Sequence, residues 1–460
     1  MTGKMNQNDL NKLGKDFSGT ILLPEDPSYE DTRSIYNAMI EKRPAMIARC
    51  VEEEDVIRAV NFGRKVDLEI SVRGGGHSVA GWGLNEEGLM IDLSLMNTIE
   101  VNPDNQTARV GGGATWNDLD QACSRYGLAT TGGICTTTGI GGVTLGGGWG
   151  WLARKYGLAC DNLLTVKLIT ADGKTIVASE KEHSELFWAL HGGGGNFGIA
   201  TEFTFQLHPL PSATAAFLVF SPDAGPRVIN RFRDVLEEGP DELSGEMVYI
   251  TGPPEDFVPS HLVNKLCLMM TIFYAGTEAE AEKVIKPLFE TGPEGKTIAE
   301  MSYFDFQTMG DIRFGYRHHV SSEHLTALHG EAIEKFCARA HDMIVPSDSE
   351  LALSTWGGQI ARQAGDWPIA DRNANWHVYP FAIWTDPGSD KQVFDWVKEL
   401  RADLAPYTTG NPYLNLIADE GRERMIAGYG GEAKYHRLVK IKQEYDPENI
   451  FHLNHNIKPF

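Results

Sequence analysis

Apolar positions change period along the chain, and each change marks an element. Ala45–Val51 is an apolar run of strand length, Glu52–Val66 spaces its apolar residues three and four apart behind an acidic first turn, and Leu68–Gly76 returns to strand character before a run of glycines. This predicts strand, helix, strand: an α/β unit ending in a glycine loop. Leu89–Leu95 reads as another buried strand, and Asn97–Gly112 as a hairpin turning at Pro103–Gln106. Thr115 is placed to cap a helix through Tyr126, which Gly127 ends. Leu163–Ser179 alternates about Asp172-Gly173, predicting a hairpin closed by a type I′ turn. A short helix over Ser184–Leu190 and a strand from Phe197 to Leu210 follow.

Beyond Pro211 the character shifts. Proline-marked joints at Leu210-Pro211 and Gly252–Glu255 are followed by a strand at Leu266–Gly276 and a helix at Thr277–Glu290. Further helix and strand are expected over His324–Ala340, Leu351–Ile360 and Trp376–Trp384. A last helix, Glu432–Tyr445, is closed by Asp446-Pro447 and leads into an extended tail. The expected organisation is a first domain over 1–211, a second over 212–411, and a C-terminal segment, 412–460, returning to the first. No internal repeat is visible.

Composition narrows the function classes. The 460 residues carry a formal charge of −22, which argues against nucleic acid and anionic membrane surfaces as partners. No stretch has the roughly 18–20 apolar residues needed to span a bilayer, and the opening residues carry no apolar run behind their lysines, so a cytoplasmic protein is expected. Six cysteines without paired spacing imply neither a disulfide framework nor a zinc site. His452-x-x-His455 and His318-His319 lack a further ligand at metal spacing, so no metal is expected. The 49 glycines are the unusual count, and they crowd into clusters rather than repeating.

Two clusters carry candidate chemistry. Arg73-Gly74-Gly75-Gly76-His77-Ser78 follows a strand directly, and consecutive glycines let backbone N–H groups converge on an anion such as a diphosphate. Taken alone it reads more readily as a tight turn beside a solvated histidine, since glycine loops are common and a lone histidine is usually structural. Thr131–Gly150 sacrifices chain entropy at every glycine and needs a ligand or another backbone against it. Cys135 sits within it, and a lone cysteine is ordinarily a small buried hydrophobe. Neither GxGxxG with a following acidic residue nor GxxxxGK[ST] occurs in the right setting, which disfavours a nicotinamide or P-loop nucleotide site. A phosphate-bridged cofactor in some other fold remains.

With Arg73–Ser78, the Gly132–Gly142 loop, Asn196–Phe203 (NFGIATEF) and the tail Tyr445–Pro459 (YDPENIFHLNHNIKP), the sequence resembles the berberine bridge enzyme-like branch of the vanillyl-alcohol oxidase and p-cresol methylhydroxylase (PCMH) flavoproteins over nearly its whole length. The resemblance implies an α+β, two-domain, PCMH-type FAD-binding fold with an antiparallel-sheet substrate domain. It implies a member of bacterial type with bicovalent FAD, bonded through His77 to the flavin 8α-methyl and through Cys135 to flavin C6. Arg73–Ser78 would cradle the diphosphate, with Gly139, Gly142, Gly146, Ile199 and Asn454 also against the cofactor. Thr138 falls at the position that gates oxygen, and being close to valine in shape it favours O2 as acceptor.

The chain departs from the family pattern twice. Val143 replaces a histidine of the plant members, and Leu416 occupies the place of a base tyrosine, beside Tyr413. A replacement base is sought on Trp376–Trp384, where alternation puts His377, Tyr379, Phe381 and Ile383 on one face. His377 falls where the plant enzyme carries its glutamate base, and imidazole takes a proton near neutral pH; Tyr379 and Tyr413 are the other candidates. Trp356, Trp376 and Trp384 are a candidate aromatic wall for a substrate. The expected activity is oxidation of a CH–OH group on a carbohydrate or secondary-metabolite alcohol, with O2 reduced to hydrogen peroxide. Oxidative cyclisation, and a flavin-binding protein without turnover, are the alternatives.

Overall fold

The structure, a computed structural model, describes residues 7–310, 314–363 and 365–459; the first six residues of the chain lie outside it. The opening strand–helix–strand pattern folds into a four-stranded sheet ordered Thr20–Leu22, Met46–Arg49, Leu89–Asp92, Ile70–Arg73, whose last three strands run parallel. Glu53–Lys65 is the crossover helix, and its buried Val56, Ala59, Val60 and Phe62 pack on these strands. The parallel strand Ile70–Arg73 therefore ends with its C-terminus, and the following glycine loop, pointing out of the sheet.

A five-stranded antiparallel sheet stands beside it, ordered Ile99–Asn102, Thr107–Gly111, Ile199–Gln206, Leu163–Ile169, Thr175–Ser179. The helix Trp116–Ser124 is capped by Thr115 in a complete capping box with Asp118. The expected type I′ turn at Asp172-Gly173 is not formed. Gly173 has φ +76° but Asp172 is not in the left-handed region, and Thr170 N–H donates to Lys174 O, so the strands close through a three-residue loop ending in glycine. The Thr170 side chain, 2.6 Å from Asp172 Oδ1, holds Asp172 in the turn.

The third sheet has eight strands, all antiparallel, with Leu266–Tyr274, Leu243–Thr251, Glu350–Thr355 and Trp376–Trp384 at its centre. Helices Gly225–Glu238, Gly330–Ala340 and Asp390–Leu404 cover one face. Period-two alternation sends Trp376, Val378, Ala382 and Trp384 to that helical side and Tyr379, Phe381 and Ile383 to the opposite one. Trp376 packs on Phe232 and Trp384 on Phe394, while Trp356 is buried beside Trp149 and His324. The three tryptophans thus form no common wall. Among the described residues no helix is long and apolar enough to cross a membrane.

Candidate active site

The two glycine clusters lie back to back. A Cβ built on Gly75 would sit 2.3 Å from the backbone nitrogen of Gly139, and one on Gly139 would sit 2.3 Å from that of Gly75, so neither position admits a side chain. This contact brings the His77 loop and the Cys135 loop to one cavity. Gly76 supports the turn with φ +73°. The second loop is pinned from behind by the N-terminal end of the Trp116 helix, where Trp116 N–H donates to Thr138 O (3.0 Å) and Asn117 N–H to Thr136 O (2.8 Å).

The cavity encloses about 340 Å³ and runs between the glycine loops, the C-terminal tail and the large sheet. Arg73, Gly74, Gly75, Gly76, His77 and Ser78 line one part, and Cys135, Thr138, Gly139, Gly142 and Gly146 another. Ile199 and Asn454 close it from the far side, Asn454 with an Oδ1 that has no protein partner. Thr137 Oγ1 lies 3.0 Å from His77 Nε2 and Thr138 Oγ1 3.4 Å from Nδ1. Arg73 plays a different part from a free anion ligand. Its guanidinium is committed to the fully buried Asp92 (3.0 Å) and to the Thr32 and Ser34 carbonyls, so it anchors the loop while the backbone faces the cavity. Val143 and Leu416 also line the cavity.

A diphosphate-bearing flavin fits these walls. A Cβ on Gly142, Gly194 or Gly195 would meet nothing within 4 Å, leaving their backbones open to the cavity, while Val72, Leu145, Ile199 and Leu414 supply apolar surface for a planar ring.

On the opposite wall the large sheet contributes Tyr379 and Phe381, with Tyr36, Ile134, Trp149 and Leu416 around them. The Tyr379 hydroxyl donates to Glu246 Oε1, which also accepts from Ser354 Oγ at 2.8 Å. Burial, then the charges of Glu246 and Glu350, hold the Tyr379 phenol well above its ordinary range. Burial likewise raises the Glu246 carboxyl, partly offset by the two hydroxyls, and burial together with the Glu246 charge pushes Glu350 up to about 8.

His377 does not reach the cavity. It is fully buried behind Trp149, its Nε2 is 2.7 Å from Ser322 Oγ, and burial followed by the charge of His324 holds its imidazole well below the usual histidine range. The strand geometry that put His377 and Tyr379 on one face is as expected, and Trp149 packs edge-on against both rings, but only Tyr379 borders the cavity. Tyr413 lines the cavity yet spends its hydroxyl oxygen on the Gly148 (2.8 Å) and Trp149 (3.2 Å) N–H groups and on Asn415 Nδ2 (2.9 Å). It fixes the second glycine loop, and burial raises its phenol.

Three site residues escaped the sequence. Glu246 carried a signal, the one charged residue on the strand Leu243–Thr251. Trp149 ends the second glycine cluster, and Tyr36 had no local signal at all; its ring stacks on His77 at 4.9 Å and 8°.

Comparisons agree with this geometry. Residues 44–179 match the family model for an FAD binding domain, and residues 413–458 the model described as berberine and berberine like. (R)-6-hydroxynicotine oxidase of Paenarthrobacter nicotinovorans is 32% identical, over 96% of this chain and 97% of its own length. The crystal structure of 6-hydroxy-D-nicotine oxidase from Arthrobacter nicotinovorans superposes with a TM-score of 0.85 at 30% identity, covering 96% of this chain and 98% of that one. Berberine bridge enzyme from Eschscholzia californica shares the fold, with a TM-score of 0.86 at 23% identity over 98% of this chain and 99% of its own. With both family models in place and a relative matched along its whole length, the chain belongs to the berberine bridge enzyme-like FAD-linked oxidoreductases and has their PCMH-type fold.

Proposed function

We propose that this FAD-dependent oxidoreductase is an oxidase of a CH–OH group on a small, largely apolar molecule, with its flavin bonded through His77 and Cys135. The observation that carries the reading is Tyr379, which faces the same cavity as His77 and Cys135 from the opposite wall with its hydroxyl on the Glu246 carboxylate. A flavin held between these walls would supply the hydride acceptor, with O2 as the final oxidant and hydrogen peroxide as its product. Tyr379, rather than the buried His377, takes the substrate hydroxyl proton, and its own proton moves to Glu246. Phe381, Trp149, Ile134 and Leu416 around it offer apolar and aromatic contact, which suits a secondary-metabolite alcohol better than a carbohydrate. Residues 1–211 and 412–460 hold the cofactor in this reading, residues 212–411 cover the substrate side, and Thr138 leaves the oxygen approach open.

A screen of alcohols and sugars for peroxide formation tests the reaction, followed by anaerobic bleaching of the flavin with any hit. Colour that stays with acid-precipitated protein in either single variant, His77→Ala or Cys135→Ala, and is lost only in the double variant tests the attachment. A second reading, oxidation at a carbon beside an amine nitrogen, draws on the similarity to (R)-6-hydroxynicotine oxidase. The product separates the two, a carbonyl retaining oxygen against an imine or its hydrolysis products.

A further inference from the structure

The segment carrying Tyr36 ties three parts of the molecule together. Asn37 Nδ2 donates to Val79 O (3.0 Å), just past the His77 loop, and to His318 O (3.1 Å) on the large sheet, while His318 N–H donates back to Asn37 Oδ1 (3.1 Å). Ala38 N–H donates to Tyr316 O (2.7 Å) and Tyr36 N–H to Gly76 O (3.3 Å). The result is a clasp between the large sheet and the histidine loop, with Tyr36, only 2% exposed, at its tip.

The Tyr36 ring lies nearly parallel to the His77 imidazole, 4.9 Å away at 8°; it also meets the His318 ring at 4.3 Å, packs in the cluster with Val79 and Tyr379, and is near enough to Cys135 to feel its charge. Phe314 also touches His77, but edge-on at 5.6 Å and from an exposed position. Of these neighbours Tyr36 alone is both stacked parallel to the imidazole and itself immobilised. We propose that Tyr36 is a positioning residue for cofactor attachment: its ring, held by the Asn37 clasp, sets the plane of His77 so that a ring nitrogen is presented to the flavin 8α carbon.

This rests on the attachment reading above. Joining imidazole nitrogen to that carbon replaces one N–H and one C–H bond by one C–N bond, and the electron pair and two protons so released leave to O2 as hydrogen peroxide. Such a step depends on approach geometry, and nothing in it calls for the Tyr36 hydroxyl. Cys135 is on the other loop, so its bond does not depend on the imidazole plane.

The test quantifies, by peptide mass spectrometry of the purified full-length holoprotein, the fractions of the His77 and Cys135 peptides that carry flavin. In wild type both are expected to be linked; a wild type unlinked at His77 overturns the attachment reading itself. In Tyr36→Leu the linked fraction at His77 should fall about tenfold or more, the scale of a reacting atom misplaced by a fraction of an ångström, while the Cys135 link persists and reports an intact pocket. Tyr36→Phe should keep both links. Full His77 linkage in Tyr36→Leu, equal loss at both residues, or loss in Tyr36→Phe would each overturn the proposal. If Tyr36→Leu does not fold, Asn37→Ala decides, since it unties the clasp and leaves the ring: a lowered His77 fraction supports the positioning role and an unchanged one refutes it.

Discussion

Tyr379 and Glu246 come from strands separated by a third, and their hydrogen bond crosses the strand Glu350–Thr355 on the cavity side of the large sheet. Ser354 on that middle strand donates to the same Glu246 oxygen, so a single carboxylate oxygen collects two hydroxyls in a site where burial raises both its own affinity for a proton and that of the phenol. A proton arriving at Tyr379 has an acceptor already in place.

Removing either partner should therefore slow the chemical step without emptying the cofactor site. Tyr379→Phe and Glu246→Gln are each expected to lower the rate of anaerobic flavin reduction by about 10²–10⁴-fold, the usual worth of a positioned acid–base group, with flavin content unchanged. Glu246 must be ionised to accept, so the wild-type rate should rise with pH through a carboxyl ionisation above the ordinary glutamate value. That limb should vanish in Glu246→Gln. Retention of the limb in stopped-flow traces would remove Glu246 from the reaction.

His377 should behave in the opposite way. Behind Trp149 and bonded to Ser322, it is a structural group, and His377→Phe strands the Ser322 hydroxyl that also accepts from Tyr413 N–H at 3.0 Å. The expected cost is about 1–3 kcal/mol of stability, the penalty of an unsatisfied buried polar group, read as a lower Tm with flavin reduction close to wild type. A collapse in rate at unchanged Tm would restore His377 as the base.

These two residues show where the sequence was informative and where it stopped. The glycine loops, the capped helix at Thr115 and the alternation of Trp376–Trp384 were all legible, because each is a local pattern imposed by backbone sterics or by pleat. That His77 and Cys135 share a cavity followed only from the family resemblance; the physical cause, the Gly75–Gly139 contact, became visible with the backbone paths. Tyr379 against His377 was undecidable, since the outcome hangs on which of two positions on one strand face borders the cavity. Glu246 reaches Tyr379 across 133 residues of sequence, and Tyr36 comes to His77 from the loop after the helix Tyr29–Arg33. The turn at Asp172 failed for a smaller reason: Asp-Gly suits both a type I′ turn and a longer glycine-closed loop, and the Thr170 side chain favours the second.

The Gly75–Gly139 contact makes its own prediction. Gly139→Ala drives a Cβ against the Gly75 backbone, which has no flexible side chain to yield. Overpacking of this kind costs about 1–3 kcal/mol, and relief by separating the loops would displace His77 from Cys135. Flavin content per chain, read from visible absorbance, should fall in Gly139→Ala and stay normal in Gly330→Ala, where a Cβ meets nothing within 4 Å.

Glu350 offers a test independent of catalysis. In an unfolded chain its carboxyl ionises near the ordinary value of 4.5, and in the folded protein near 8, because burial and the facing charges of Glu246 and Asp348 disfavour the anion. The folded state thus binds the extra proton across that interval, and its stability falls as pH rises from about 4.5 to about 8. Glu350→Gln removes this contribution. It should match wild type or fall slightly below it at the acidic end, and exceed it on the alkaline side by on the order of 1–3 kcal/mol. Urea unfolding at the two ends of the interval measures the difference. Parallel pH dependences for the two proteins would mean that the Glu350 proton is not retained in the folded state, and with it would go the picture of two proton-holding carboxyls close to Tyr379.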